Sequence, residues 1–244
     1  SMKNFKVILN PHGGQNRGPR ILKKIIPLFH SSNVKLNIIE TNFSGHAKDL
    51  ANQLDYTNYD GLIIIGGDGT IHEVLNGILS RQKKSDIPIG IIPGGSGNSF
   101  MHDLGLTDPI SATKSIIKGN LRKIDIAKIS LNHIKKYAFN IIGWGLVTDI
   151  GISAEKWRVL GESRYTILSI FEVLRYKPRN AILILDDKKI VDDFVFVIAC
   201  NTIHTGKGMQ MAPKAKLDDG LIDVIVVRKG VSKLQLLSIL PKVY

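Results

Sequence analysis

Residues 66–70, Gly-Gly-Asp-Gly-Thr, place one acid among three glycines, a composition that suits chemistry on a phosphate. Glycines remove the side chains that would hold an anion away from backbone N–H groups. A carboxylate beside phosphates is repelled unless it binds a metal, accepts a proton or holds a hydrogen-bond donor. Asp68 is therefore a candidate for catalysis, although the same pattern also fits a tight turn with a helix-capping aspartate.

The segment around this turn predicts how the acid is positioned. Leu62–Ile65 is a short apolar run, typical of a central strand in a parallel sheet covered by helices on both faces. Apolar residues at helical spacing follow the turn, so a helix is predicted to begin near Thr70. Since the N-terminus of a helix favours negative charge, strand, turn and helix together predict an anion-binding site.

Two more glycine turns follow predicted strands, at residues 10–14 (Asn-Pro-His-Gly-Gly) and 93–98 (Pro-Gly-Gly-Ser-Gly-Asn). Strands and helices alternate up to residue 118, which predicts a doubly wound parallel sheet. Ligands of such sheets bind beyond the carboxyl ends of the strands, so the three turns are expected at one edge. No turn spells G-x-G-x-x-G, and no Gly-Lys-Ser/Thr follows one, which argues against the usual dinucleotide fold and P-loop.

The pattern changes near residue 121 to paired runs typical of antiparallel strands, with a helical insertion between Ser153 and Tyr176. We therefore predict two domains, an α/β domain at residues 1–120 and a β-rich domain at residues 121–244. The fold class is α/β, with a doubly wound parallel domain followed by an antiparallel one.

One helical stripe admits two interpretations. Its apolar side chains could cover an apolar pocket or rest on a membrane. Such a stripe more often packs in the hydrophobic core, and that is the expectation here. The stripe consists of Ile167, Leu168, Ile170, Phe171 and Leu174.

The charge balance favours polyanions, because 33 basic residues face 21 acids for a net charge of +12. The basic residues are spread out and form no recognisable nucleic-acid module, so no nucleic-acid partner is expected. Cys200 is the only cysteine, which excludes an internal disulfide and indicates a reducing compartment. No signal peptide is recognised, and the apolar runs are too short to span a bilayer.

Several of these motifs together resemble the diacylglycerol kinase catalytic-domain family, which includes sphingosine kinase, ceramide kinase and bacterial lipid kinases. The resemblance is carried by residues 66–77 paired with 93–98, and by Asn10-Pro11 with Gly13-Gly14. Residues 143–165 resemble the sphingosine and ceramide kinase branch, and Pro213 with residues 217–223 matches a further family motif.

The resemblance implies an ATP- and thus nucleotide-binding α/β domain at residues 1–120 and a lipid-binding β-sandwich domain at residues 121–244. The two together would form the NAD kinase/diacylglycerol kinase-like fold, with Mg²⁺ as cofactor. Asp68 matches the catalytic base that activates the lipid hydroxyl. Asp149 and Glu155 would face the lipid head group or the magnesium site, Asp219 resembles a metal position, and Asp125 lies near an acid implicated in bacterial relatives. The positions implied for ATP binding are Asn10, Gly13, Gly14, Thr41, Gly66, Gly67, Gly69, Thr70, Gly95, Ser96, Gly97, Asn98, Arg158 and Arg164.

The sequence departs from the family pattern in two places. Many sphingosine kinases carry a second aspartate where this chain has Gly151, and an acid there would pair with a substrate ammonium, so its absence weakens the case for sphingosine. Ceramide kinase-like sequences also lack this aspartate. The family chain also continues to an Asp-Gly-Glu segment that returns to the nucleotide domain, and this sequence ends at Tyr244 before one.

The expected function is an ATP-dependent lipid kinase that acts on a sphingoid base or ceramide-like lipid first, or diacylglycerol second. An NAD kinase-like or phosphofructokinase-like phosphotransferase is one alternative, and a non-catalytic lipid- or nucleotide-binding module is another. The expected partner is a lipid at a membrane surface, and a homodimer is allowed. The expected location is cytoplasmic, with peripheral association with the membrane.

Overall fold

The computed structural model describes residues 2–95, 98–157, 164–202, 204–205, 209–210, 212 and 214–240. The chain forms two compact units, Ser1–Phe139 and Asn140–Tyr244. The division falls later than the change of pattern near residue 121, because the hairpin formed by β5 (Ala127–Leu131) and β6 (Ile134–Ala138) packs with the first unit.

The amino-terminal unit is built on a parallel sheet of order β2-β1-β3-β4. Its strands are β1 (Lys3–Leu9), β2 (Val34–Glu40), β3 (Gly61–Gly66) and β4 (Ile89–Pro93). Its helices are α1 (Arg17–Ser31), α2 (His46–Gln53), α3 (Asp68–Leu79), α4 (Ser99–Leu104) and α5 (Pro109–Lys118). This alternation confirms the predicted doubly wound α/β fold.

The apolar run of β3 is buried on both faces, as a central parallel strand requires. Each side chain from Leu62 to Ile65 is at most 1% exposed. On one face Ile63 and Ile65 join a core that includes Ile25 and Phe29 of α1. The continuous apolar sequence of β3 therefore fixes the centre of the sheet and places the turn at residues 66–69 at its carboxyl end.

Helix α3 is held against α2 by two residues of its middle turns. The Glu73 carboxylate accepts the N–H groups of Gly45 at 3.0 Å and Ala47 at 3.2 Å, at the start of α2. A Cβ at Gly77 would lie 2.3 Å from the carbonyl oxygen of Lys48, so glycine is needed for this close helix approach.

The β5–β6 hairpin is tied to the same helix through Asn76. The Asn76 side-chain amide donates to the carbonyl of Tyr137 at 2.9 Å and accepts its N–H at 2.8 Å. Phe139 follows the hairpin, is fully buried, and packs against the tilted ring of His72 and edge-on against the ring of Phe100, at centroid distances of 4.8 and 4.7 Å. The base of the hairpin is thus part of the amino-terminal unit.

The carboxy-terminal unit contains an antiparallel sheet of order β12-β9-β7, and the first half of β9 also pairs with β8. Its described strands are β7 (Ile141–Gly145), β8 (Arg179–Leu185), β9 (Lys188–Cys200), β10 (His204–Thr205), β11 (Met209–Gln210) and β12 (Asp223–Arg228). Its described helices are α6 (Leu146–Lys156), α7 (Arg164–Arg175) and α8 (Lys233–Ile239). The antiparallel pairing confirms the second half of the fold prediction.

Helix α7 corrects the expectation that its apolar stripe is core. Its buried side chains include Leu168 and Val173, which lie on a different face from most of the stripe. Leu168 is therefore the one member of the stripe that is buried. The other four members, Ile167, Ile170, Phe171 and Leu174, are 47–59% exposed.

Candidate active site

The three glycine turns meet at the carboxyl edge of the parallel sheet, after β1, β3 and β4. The Gly94 N–H donates to the carbonyl of Gly66 at 2.9 Å. A Cβ at Gly95 would lie 2.3 Å from the Cα of Gly67, and one at Gly14 would lie 2.5 Å from the carbonyl oxygen of Gly94. Several of these glycines are therefore required for the turns to touch one another.

Asn10 shapes the first turn rather than leaving its N–H groups open. Its Oδ1 accepts the N–H groups of His12 and Gly13, both at 3.1 Å. Its Nδ2 donates to Oγ1 of Thr70 at 3.2 Å, which links the first turn to the start of α3. Thr41 is buried beside this edge, where its N–H donates to the carbonyl of Leu9 at 2.9 Å.

The start of α3 is open. Gly67 occupies the N-cap position and supplies no side-chain cap, so the first N–H groups of the helix lack that partner within the described residues. Gly69 is exposed, and a Cβ there would meet nothing within 4 Å. Because a helix N-terminus with free space before it attracts anions, this is where a phosphate group fits.

Asp68 is half-buried and lies at the same helix start, but its carboxylate points to the next helix along the chain. Its Oδ2 accepts the N–H of Ser99 at 3.0 Å and the Ser99 hydroxyl at 2.7 Å, and its Oδ1 accepts the N–H of Phe100 at 3.4 Å. Asp68 therefore caps α4 and is held in one orientation. Within the described residues it forms no ion pair.

The turn at residues 93–98 contributes a further polar group. Asn98 donates from Nδ2 to the carbonyl of Gly95 at 3.0 Å, and its Oδ1 is buried without a hydrogen-bond partner in the described part of the chain. A buried acceptor without a donor is costly unless a ligand supplies one, so Asn98 fits a nucleotide contact. Ser96 and Gly97 lie outside the described residues.

The remaining predicted ligand positions belong to the carboxy-terminal unit. Asp149 forms an ion pair with Arg179 at 2.5 Å, and that guanidinium also lies 6.0 Å from the ring centroid of Trp144. Glu155 is exposed near the end of α6. The guanidinium of Arg164 lies 5.1 Å over the ring of Tyr165, while Arg158 lies outside the described residues.

The predicted metal position, Asp219, makes a local turn in which its Oδ1 accepts the N–H of Leu221 at 3.0 Å. Asp125 is half-buried in the amino-terminal unit. No group of three or more His, Cys, Asp or Glu side chains that could hold a metal occurs among the residues described. Magnesium is usually bound by one or two carboxylates together with substrate phosphates, so a single acid such as Asp219 would need further ligands from the phosphates of a nucleotide to hold it.

A separate pocket of about 320 Å³ lies before β3 and β4, at the opposite edge of the sheet from the glycine turns. Its lining includes Tyr56 and Arg81, and none of the predicted site residues. The Arg81 guanidinium is occupied by the carbonyls of Ala51 and Asn52, and burial raises the pKa of Tyr56 to about 12. These two side chains stabilise the end of α2, so the pocket adds nothing to the site.

Sequence reasoning missed Ser99, Phe100 and Asn76. A serine before an apolar run marks a helix start, and that signal does predict α4. It does not reveal that the acid holding this helix lies 31 residues upstream. The partner of Asn76 lies 61 residues away, in a hairpin whose packing no local pattern shows.

The described residues thus combine a glycine-lined edge of a parallel sheet, which carries one oriented acid, with a second, antiparallel unit. Residues 4–129 match the family model of the diacylglycerol kinase catalytic domain. Residues 141–244 match the model of the YegS C-terminal NAD kinase beta sandwich-like domain. The chain therefore belongs to the diacylglycerol kinase catalytic-domain family.

Similar proteins support this assignment. Sphingosine kinase 1 of Arabidopsis thaliana is 32% identical over 98% of this chain and 59% of its own length. Ceramide kinase of Homo sapiens is 31% identical over 67% of this chain and 34% of its own length. A crystal structure of a diacylglycerol kinase from Bacillus anthracis str. Sterne superposes with a TM-score of 0.72 at 26% identity, covering 98% of this chain and 77% of that chain. Three sphingoid-base kinases match 97–98% of this chain, but the chain spans only 59–61% of their length.

Proposed function

We propose that the protein is an ATP-dependent lipid kinase that phosphorylates a hydroxyl group of a sphingoid base or ceramide-like lipid, with diacylglycerol as the second choice. The observation that carries this proposal is the position of Asp68, an oriented carboxylate at the open start of α3. Kinase relatives in the sphingosine and ceramide branch support the order of substrates.

The chemistry follows from the geometry of this edge. The N–H groups at the start of α3 and the glycine turns hold the phosphates, so the γ-phosphorus is fixed near Asp68. Asp68 accepts the proton of the lipid hydroxyl while the oxygen of that hydroxyl bonds to the γ-phosphorus of ATP. The bond between the γ-phosphorus and the bridging oxygen breaks at the same time, and ADP leaves with that oxygen. Magnesium, when bound with ATP, neutralises charge on the phosphates. Arg158 and Arg164 are proposed to do the same.

Asp149 and Glu155 are proposed to face the lipid head group. Asp149 is already paired with Arg179, so the lipid must either share this ion pair or displace it. Gly151 supplies no second acid, which favours an acceptor that lacks an ammonium group. This is why a ceramide-like lipid stands beside the sphingoid base as a candidate.

The first prediction is that Asp68→Asn abolishes phosphoryl transfer, because the amide cannot accept the proton, while ATP binding and folding persist. The full-length protein is incubated with labelled ATP and a panel of sphingosine, ceramide, diacylglycerol and NAD, and the lipid and aqueous products are separated. Asp86→Asn, an exposed acid near the opposite edge, is the matched control and should remain active.

Each outcome of this assay distinguishes one of the proposed functions from the others. Full activity of Asp68→Asn removes the acid from the mechanism. Label in the aqueous product with NAD favours an NAD kinase-like activity, and lipid binding without any labelled product favours a binding module.

We also propose that the protein works at the cytoplasmic surface of a membrane, where its lipid substrate resides, and that it contacts the bilayer through α7. Ile167, Ile170, Phe171 and Leu174 recur at helical spacing and are half-exposed, and Arg175 lies 5.3 Å from the ring centroid of Phe171. An apolar face bordered by arginine is typical of a helix that lies in a membrane interface. In the part of the chain that is described, no helix has the length and hydropathy needed to cross a bilayer.

A further inference from the structure

The tip of the β5–β6 hairpin exposes an apolar pair that the site does not use. Leu131 and Ile134 are paired across the two strands and are 65% and 61% exposed. Since paired residues point to the same face of a hairpin, the two side chains form one small apolar surface. Asn132 and His133 make the turn between them with φ angles of 50° and 116°.

Lysines surround this apolar pair. Lys128, Lys135 and Lys136 are exposed, and none of the three forms an ion pair within the described residues. No Asp or Glu occurs from residue 126 to residue 148, so the hairpin carries uncompensated positive charge. Strand alternation places Lys136 on the apolar face and Lys128 with Lys135 on the other.

The base of the hairpin is rigid although its tip is exposed. Asn76 holds both backbone groups of Tyr137, and Ala138 and Phe139 are buried. The tip can therefore bind a partner without unfolding the hairpin. A surface loop with no such anchorage would lose more conformational entropy on binding.

We propose that the hairpin tip, defined as Lys128, Leu131, Ile134, Lys135 and Lys136, is a docking surface for an anionic lipid membrane. Leu131 and Ile134 enter the head-group region, and the three lysines bind acidic head groups. This inference deepens the proposed function, on which it rests, by assigning the amino-terminal unit its own membrane contact and a preference for acidic lipids.

Two other partners fit less well. A stable protein interface buries about 800 Å² on each partner, far more than two aliphatic side chains provide. Single-stranded nucleic acid is bound largely through several aromatic side chains that stack on successive bases, and the tip carries no Phe, Tyr or Trp and a single imidazole ring, that of His133. An acidic membrane needs only a small apolar wedge with nearby cations, which is what the tip offers.

The test is sedimentation of the full-length protein with vesicles in the absence of ATP and substrate, so that it does not depend on kinase activity. Vesicles of phosphatidylcholine alone are compared with vesicles that also contain phosphatidylserine. The variants are Lys135→Gln/Lys136→Gln and Leu131→Ser/Ile134→Ser. The controls are Lys23→Gln/Lys24→Gln in α1 and Leu234→Ser in α8, which change exposed residues elsewhere.

We expect wild-type protein to prefer the phosphatidylserine vesicles. Each lysine should contribute about fivefold in affinity, so the lysine variant should bind them about 25-fold more weakly. The apolar variant should weaken binding to both vesicles, on the order of tenfold. Both controls should bind like wild type. All the substituted side chains are exposed, so every variant should fold, which circular dichroism would check.

The inference is overturned if the tip variants bind like wild type, or if the loss follows the control variants instead. It is also overturned if the tip variants change the elution volume in gel filtration but not vesicle binding, since the tip would then join two copies of the chain. A protein that binds vesicles through the tip but phosphorylates no lipid would refute the proposed function and leave this inference standing.

Discussion

At the scale of single residues, the position of Asp68 combines an observed role with the one that we propose. It caps α4 through Ser99 and Phe100, and it stands at the open start of α3, where we propose that a triphosphate binds. The sequence offers catalysis and capping as alternatives, and the geometry makes them compatible. Capping fixes the direction of the carboxylate, which a general base requires before substrate arrives.

Ser99→Ala is therefore expected to lower kcat about tenfold with an unchanged KM for ATP, because the carboxylate loses its closest partner and is then oriented only by the backbone N–H groups of residues 99 and 100. Steady-state kinetics would measure both parameters. Ser111→Ala is the matched control, because Ser111 makes the same pair of hydrogen bonds to Asp108 at the start of α5, at 2.8 and 3.0 Å. Equal losses of kcat in both variants would mean that Ser99 acts only through stability.

Substituting alanine at two glycines of the site should have different effects, on ATP affinity at one and on stability at the other. Gly69 faces open space, so Gly69→Ala should leave the protein as stable as wild type but weaken ATP binding, because the methyl group occupies phosphate space. At Gly95 the added Cβ would meet the Gly67 backbone, so Gly95→Ala should lower the free energy of unfolding by about 1–3 kcal/mol. Urea unfolding and calorimetric titration with ATP would measure the two effects. Unchanged ATP affinity in Gly69→Ala would place the phosphates elsewhere.

At the scale of elements, the strands and turns of the amino-terminal unit were predictable, whereas their anchorage was not. A fully apolar run such as Leu62–Ile65 suits only a central strand, and a sheet with parallel strands brings its turns to one edge. By contrast, Asn76 and Tyr137 are joined over a separation of 61 residues, and no periodicity predicts such a pair. The apolar stripe of α7 shows a related limit, because periodicity identifies a face but not what covers it.

Asn76→Ala should detach the hairpin from α3. Two hydrogen bonds to the Tyr137 backbone are lost and its partly buried N–H and C=O groups remain without these partners, so the free energy of unfolding should fall by about 1–3 kcal/mol. Hydrogen exchange should show faster exchange at the Tyr137 amide than at amides of β3. Asn52→Ala, which removes an amide that bonds the carbonyl of Gly77 at 3.2 Å, is the control and should leave Tyr137 protected.

Substitutions on the two faces of α7 should separate stability from membrane contact. Phe171→Ser changes a side chain that is 53% exposed, so the free energy of unfolding should stay within about 0.5 kcal/mol of wild type while vesicle binding falls. Leu168→Ser changes a buried side chain and should cost about 2–5 kcal/mol. Thermal unfolding and vesicle sedimentation give the two readouts. Normal vesicle binding by Phe171→Ser would exclude this face from the bilayer.

At the scale of the whole molecule, the order of the two units and the family were predictable because the motifs extend over nearly the entire chain. Residues 66–77 and 93–98 form one edge, which explains why their pairing is more specific than either alone. The choice of lipid was not predictable in the same way, because the ion pair of Asp149 with Arg179 and a glycine at position 151 do not single out one alcohol at the head-group site that we propose.

The amide of Asn76 has a consequence for solubility. Strand β6 lies at the edge of a two-stranded hairpin, and an edge with free N–H and C=O groups invites another chain to add a strand and start aggregation. The side chain of Asn76 occupies both groups of Tyr137 and so imitates one residue of a neighbouring strand. At this position of β6, the base of the hairpin therefore offers no free backbone groups to an incoming strand, although the described part of the chain supplies no third strand there.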